Sequence, residues 1–163
     1  MFIMKMKEIE TPALHKLAGY LEAISEFIRT GELKWYFDVR LFECEESASD
    51  VRSFIKEIYP DAKLERAEIS EASAKDVVET LEHELGRFCP PLEALRVLGP
   101  ISTYTAAMWQ YLSECIDYEH SRIFEYFSSE KDSLLSGIMG DFAVIFYNER
   151  LNRWLIFSGA TCD

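Results

Sequence analysis

Histidine is scarce in this 163-residue chain: His15, His83 and His120 are the whole supply. The four cysteines, Cys44, Cys89, Cys115 and Cys162, are scattered, and no two form a CxxC pair. That spacing excludes a zinc knuckle and leaves free thiols of a reduced, cytoplasmic protein as the expectation. Positive charge is also short. Lys and Arg number 17 against 29 Asp and Glu, for a formal net charge of −12. Such a balance disfavours nucleic acid and anionic membrane surfaces as partners. No apolar run reaches the roughly 18 residues of a membrane span. The apolar start MFIMKMKE is broken by Lys5, Lys7 and Glu8, so no secretory leader is expected.

Glycine, at 7 residues, does not build a phosphate-binding loop. Residues 136–141 come nearest, yet they lack the Lys-Ser/Thr of a P-loop and lead into a strand pattern. Residues 157–161 have no serine in the GxSxG position of a nucleophile elbow. No cofactor is expected, and no catalytic motif is recognisable.

What the chain does have is a globular composition, 48% hydrophobic and 28% charged. Its length suits one domain over 1–163. Leu14, Leu17, Leu21, Ile24 and Ile28 recur at spacings of three and four, which predicts a helix over 12–30. Thr11 would cap it, Pro12 would open it and Gly31 would stop it. Residues 33–42 alternate, with Leu33, Trp35, Phe37, Val39 and Leu41 on one side, as in a strand.

A short helix capped by Ser47 or Ser49 follows, with Val51, Phe54, Ile55 and Ile58 inward as far as Pro60. A second strand is expected over 63–69. Strand, helix, strand in this order suggests a right-handed crossover between parallel strands. Ser73 opens a helix over 73–88 carrying Val77, Leu81, Leu85 and Phe88, ended by Pro90-Pro91. A short helical turn over 92–98 and a long helical region over 103–127, with a break near Tyr118, come next. Residues 128–140 read as a loop. Residues 142–147 and 153–157 flank a five-residue loop and form a hairpin, apolar on both faces and therefore central in a sheet. The expected class is α+β or α/β, a mixed sheet of about four strands with helices packed on it.

Two kinds of chemistry compete for the surface. Glu79 and His83 stand four apart, and Asp117 and His120 three apart, so each pair shares a helix face. Two such pairs could hold a divalent metal if they met in space, which would suit a small metal- or ligand-binding enzyme. His15 reads as a surface residue, and no base is implied beside any cysteine. Against this stand the carboxylates Glu43, Glu45, Glu46 and Asp50, clustered after the first expected strand.

Aromatics are plentiful, 11 Phe, 8 Tyr and 3 Trp, and Tyr36 and Trp109 are candidate interface anchors. Carboxylates around aromatic anchors suit a binding or neutralising module, immunity-like in type, that docks a basic protein partner. A homo-oligomer joined through a partly exposed first-helix stripe is a further expectation.

Overall fold

The computed structural model describes residues 5–29, 34–45, 50–86, 96–128 and 139–162. Six strands form one sheet: β1 (Met6–Ile9), β2 (Lys34–Cys44), β3 (Ala67–Ala72), β4 (Arg122–Ser128), β5 (Met139–Asn148) and β6 (Arg153–Cys162). Their spatial order is β1-β2-β6-β5-β4-β3, and every neighbouring pair is antiparallel. The α+β class and the central hairpin therefore stand, but the sheet has six strands and is not mixed. No parallel crossover joins β2 to β3. Phe37, Val39 and Leu41 of β2 sit opposite Gly159, Phe157 and Leu155 of β6, so the two strands that are adjacent in sequence end up near opposite edges.

The longer helices among the described residues are α1 (Pro12–Phe27), α2 (Val51–Ile58), α3 (Ala74–Leu85) and α4 (Ile101–Ile116). Local chemistry sets their starts. Thr11 is extended, and its hydroxyl accepts from the Leu14 N–H at 3.1 Å. Ser73 does the same for the Asp76 N–H at 3.1 Å. Asp50, not Ser47 or Ser49, caps α2, accepting from the N–H groups of Arg52 and Ser53 at 3.3 Å each. Ser47, Ser49, Gly31 and Pro90-Pro91 lie outside the described residues.

The sheet is covered on both faces, which explains its apolar hairpin. On one face α1, α3 and α4 pack over Trp35, Leu41, Val144, Phe146, Leu155 and Phe157. The whole stripe Leu14, Leu17, Leu21, Ile24 and Ile28 is buried there. That corrects the expectation of an oligomer built on this stripe, because the chain's own core already uses it. On the other face α2 seats Phe54 and Ile55 against Phe42, Tyr147, Trp154 and Ile156.

The largest departure from the sequence pattern is the region 103–127. The helix stops at Ile116. Asp117 turns left-handed at φ 48°, a short 3-10 turn covers Tyr118–His120, and β4 begins at Arg122. Ile123 faces α4 while Phe124 and Tyr126 face the opposite core. Apolar residues fall on both faces, Ile123 and the exposed Phe127 on one and Phe124 and Tyr126 on the other, so period-two alternation disappears and the spacing from Ile123 to Phe127 mimics a helix.

Candidate partner-binding site

β2 carries most of the candidate residues, and it separates them. Tyr36 and Glu43 are seven residues apart, about 23 Å along a strand at ~3.3 Å per residue. Odd spacing also places them on opposite faces. Tyr36 is 53% exposed, with the Lys34 ammonium 5.6 Å from its ring centre. Trp109 is placed otherwise: it is buried on α4, 4.9 Å from the Tyr118 ring and 6.4 Å from that of Phe146. It is a core side chain and presents no surface to a partner. Its neighbours Met108 and Leu112 show the physical reason, since the inward stripe of α4 runs through it.

The carboxylates after β2 have structural duties as well as charge. Glu43 receives Arg153 through Nε at 3.1 Å and Nη2 at 2.9 Å, directly across the β2–β6 pair. Asp50 caps α2 and also accepts from the Ser53 hydroxyl, which with the two backbone donors holds its carboxyl below the ordinary range. Glu45 is the least committed. Its side chain is 71% exposed, and its ion-pair partner Lys5 stands at 3.6 Å. Glu46 lies outside the described residues.

The two histidine–carboxylate pairs meet different fates. Glu79 is exposed on α3 with Lys75 at 3.9 Å, and His83 is exposed on the same helix. Asp117 and His120 do meet, with both carboxylate oxygens 3.0 Å from Nδ1. The pairs do not combine. Among the described residues, no group of three or more His, Cys, Asp or Glu side chains is placed to hold a metal ion. The left-handed Asp117 curls its carboxylate back onto His120 within the 3-10 turn, so it is engaged locally.

That contact has a measurable consequence. The Asp117 hydrogen bond, then its charge, raises the His120 pKa above the ordinary imidazole value. A raised folded-state pKa favours the fold while the ring is protonated, below the unfolded value of about 6.5, and the contribution fades as pH rises through the folded value. NMR titration is expected to show His120 titrating above the ordinary value, with Asp117→Asn returning it there. An unshifted His120 in the wild type would contradict the contact.

Cys115 is no nucleophile. Burial first, then the Glu114 charge, pushes its thiol up to about 11, so it stays protonated at neutral pH.

A surface feature that the sequence reading overlooked is the outer edge of β2. β1 covers only Leu41–Cys44, leaving Lys34–Arg40 beyond it. Between that stretch and α1 lies a cleft of about 370 Å³, bordered by Ala18, Leu21 and Glu22 on the helix and by Phe37, Asp38 and Val39 on the strand. Alternation marks 33–42 as a strand, but the four residues of β1 show no period, so the uncovered length of edge carries no signal in the sequence.

No protein-family model matches the chain, and no curated protein matches it. Solved structures do. The chain is similar to citrus MAF1 in a crystal of space group P 31 2 1, at a TM-score of 0.61 and 18% identity, over 87% of this chain and 98% of that one. It is similar to citrus MAF1 in space group C 2 2 21 at a TM-score of 0.63 and 17% identity, over 92% and 99% of the two chains. At these identities the likeness is one of fold: an α+β arrangement that another chain realises over nearly its full length.

Proposed function

We propose that this chain is a protein-binding module of the neutralising, immunity-like kind, working in the reducing cytoplasm and docking a basic protein partner. The charge imbalance carries the reading: 29 acidic against 17 basic residues. Much of the excess lies on exposed side chains such as Glu45. A surface of that sign speeds encounter with a cationic protein and suppresses wrong partners. Tyr36, exposed beside Lys34, offers an amphipathic ring as an anchor. Cys44 and Cys115, both buried free thiols, support the reading of a reducing compartment. No described helix is long and apolar enough to cross a membrane.

The test uses Glu45, whose pair with Lys5 is an exposed surface contact, together with Glu46. Glu43 and Asp50 are left intact, because reversing either would also remove a contact or a cap. Reversing Glu45 and Glu46 to lysine should weaken binding of the basic partner and flatten its dependence on salt, because exposed charge acts over a Debye length of about 10 Å at 0.1 M. The melting temperature should hold within about 2 °C, the scale of a surface change of ~0.5 kcal/mol. Unchanged affinity and an unchanged salt slope would overturn the assignment of these carboxylates to the interface.

A further inference from the structure

The uncovered edge of β2 has a defined hydrogen-bonding direction. The Cys44 N–H donates to the Asn152 carbonyl, on the β6 side, at 3.1 Å. The next residue, Glu45, donates to the Lys5 carbonyl, on the β1 side, at 3.3 Å. Pairing with β6 runs in unbroken register from Lys34 to Glu43. Alternation therefore turns the N–H and C=O groups of Phe37 and Val39 outward, away from β6. β1 ends with Ile9 opposite Leu41, and the chain turns at Thr11 into α1. Among the described residues, no strand pairs with Phe37 or Val39 on that side. Natural sheets usually blunt or cover such an edge, because it is a template for another strand.

The cleft beside the edge supplies the side-chain environment. Val39 and Phe37 point to the α1 side, where Ala18 and Leu21 form the opposite wall. Tyr36 and Asp38 point to the other face. Two acidic residues line the cleft, Glu22 on the helix and Asp38 on the strand with its side chain toward the other face, and neither has a cation partner among the described residues. The one lysine bordering it, Lys34, is already held by Glu26. The unanswered charge is therefore negative. A second copy fits poorly, since antiparallel self-pairing about Phe37 would set Lys34 of one copy opposite Arg40 of the other, and like charges directly opposite destabilise a ladder.

We propose that the β2 edge at Phe37 and Val39 accepts an extended basic segment of a partner protein as an added strand. The main-chain groups of these two residues supply the ladder, and the cleft selects the side chains. The added strand alternates apolar residues, set under α1 against Leu21, with basic residues beside Asp38. Glu22 sits at the rim to receive a further cation. This assignment rests on the reading that the partner is basic, and adds where and how it is held.

The test needs no substitution in the protein. The probes are a short synthetic peptide alternating lysine with valine, and the same peptide N-methylated at alternate residues. Methylation removes backbone donors while leaving side chains and charge in place. The unmethylated peptide should slow amide exchange at Phe37 and Val39. The methylated one should bind about tenfold more weakly, the effect of losing one or two net hydrogen bonds of ~1 kcal/mol each. Equal affinity for the two peptides, or unaltered exchange at Phe37 and Val39, would overturn strand addition. So would an absence of binding by both. A peptide whose effects are confined to Glu43, Glu45 and Asp50 would sink the edge assignment while leaving the basic-partner reading intact. That reading is judged separately, by the Glu45 and Glu46 reversal.

Discussion

Replacing Trp154 by alanine is expected to cost about 3–5 kcal/mol, the range for deleting a fully buried large aromatic side chain. Trp154 has no exposed surface. Its ring stacks on Phe54 of α2 at 4.3 Å and on Tyr147 of β5 at 4.3 Å. The helix it holds is short: α2 has eight residues and buries only Phe54 and Ile55. A helix of that length is not stable alone and depends on tertiary packing. The loss should therefore appear first in α2 and its contacts, and then in global stability. For a domain near this size, ~1 kcal/mol moves the melting temperature by roughly 2–4 °C, so a drop of roughly 6–20 °C is expected. Thermal melting followed by near-ultraviolet dichroism measures it. Trp154→Phe, which keeps an aromatic face against Phe54, should recover part of the loss. A cost below about 1 kcal/mol for the alanine variant would mean that α2 is not seated on this ring.

Asn148→Leu should destabilise by about 2 kcal/mol despite its similar volume, because the loss lies in hydrogen bonds. Asn148 is buried at the end of β5. Its amide donates to the Ile116 carbonyl at 3.1 Å and to the Ser121 hydroxyl at 3.2 Å, and its carbonyl accepts from the Leu151 N–H at 3.0 Å. One side chain thus ties the β5–β6 turn to the C-terminal end of α4. Leucine would leave the Leu151 N–H without that acceptor, whereas the Ile116 carbonyl would still receive the Ser121 hydroxyl at 3.1 Å. Denaturant unfolding gives the size of the effect, and faster amide exchange at Leu151 locates it. Wild-type stability together with wild-type exchange would contradict the role given to Asn148.

Much of this scaffold was legible from residue order. The stripe of α1, the alternation of β2, the Ser73 cap and the central hairpin all follow from local periodicity and capping. Three things were hidden for physical reasons. β1 is only four residues, MKEI, too short to show a period. β4 carries apolar residues on both faces, the exposed Phe127 among them, so its alternation is lost and Ile123 and Phe127 imitate a helical turn. The strand order is a long-range matter: β2 pairs with β6 from Lys34↔Cys162 to Glu43↔Arg153, across more than a hundred residues of chain.

The candidate site was legible in charge and not in place. Glu43, Glu45 and Asp50 were visible as an acidic run, but their partners Arg153, Lys5 and Ser53 come from the fold. Trp109 and Tyr36 are both aromatic, and only tertiary packing puts one in the core and the other on the surface. The outward N–H groups of Phe37 and Val39 carry no mark in the sequence. Their availability depends on where β1 ends.

Affinity capture from the native lysate tests the central claim most directly, with the wild-type chain and the Glu45→Lys, Glu46→Lys variant as parallel baits. Each is eluted by stepwise salt, and the released proteins are identified by mass spectrometry. The account predicts one stoichiometric basic protein on the wild-type bait, released as salt rises and depleted on the variant. A bait that captures nothing, or one that holds a neutral or acidic protein equally on both forms and against high salt, would contradict it.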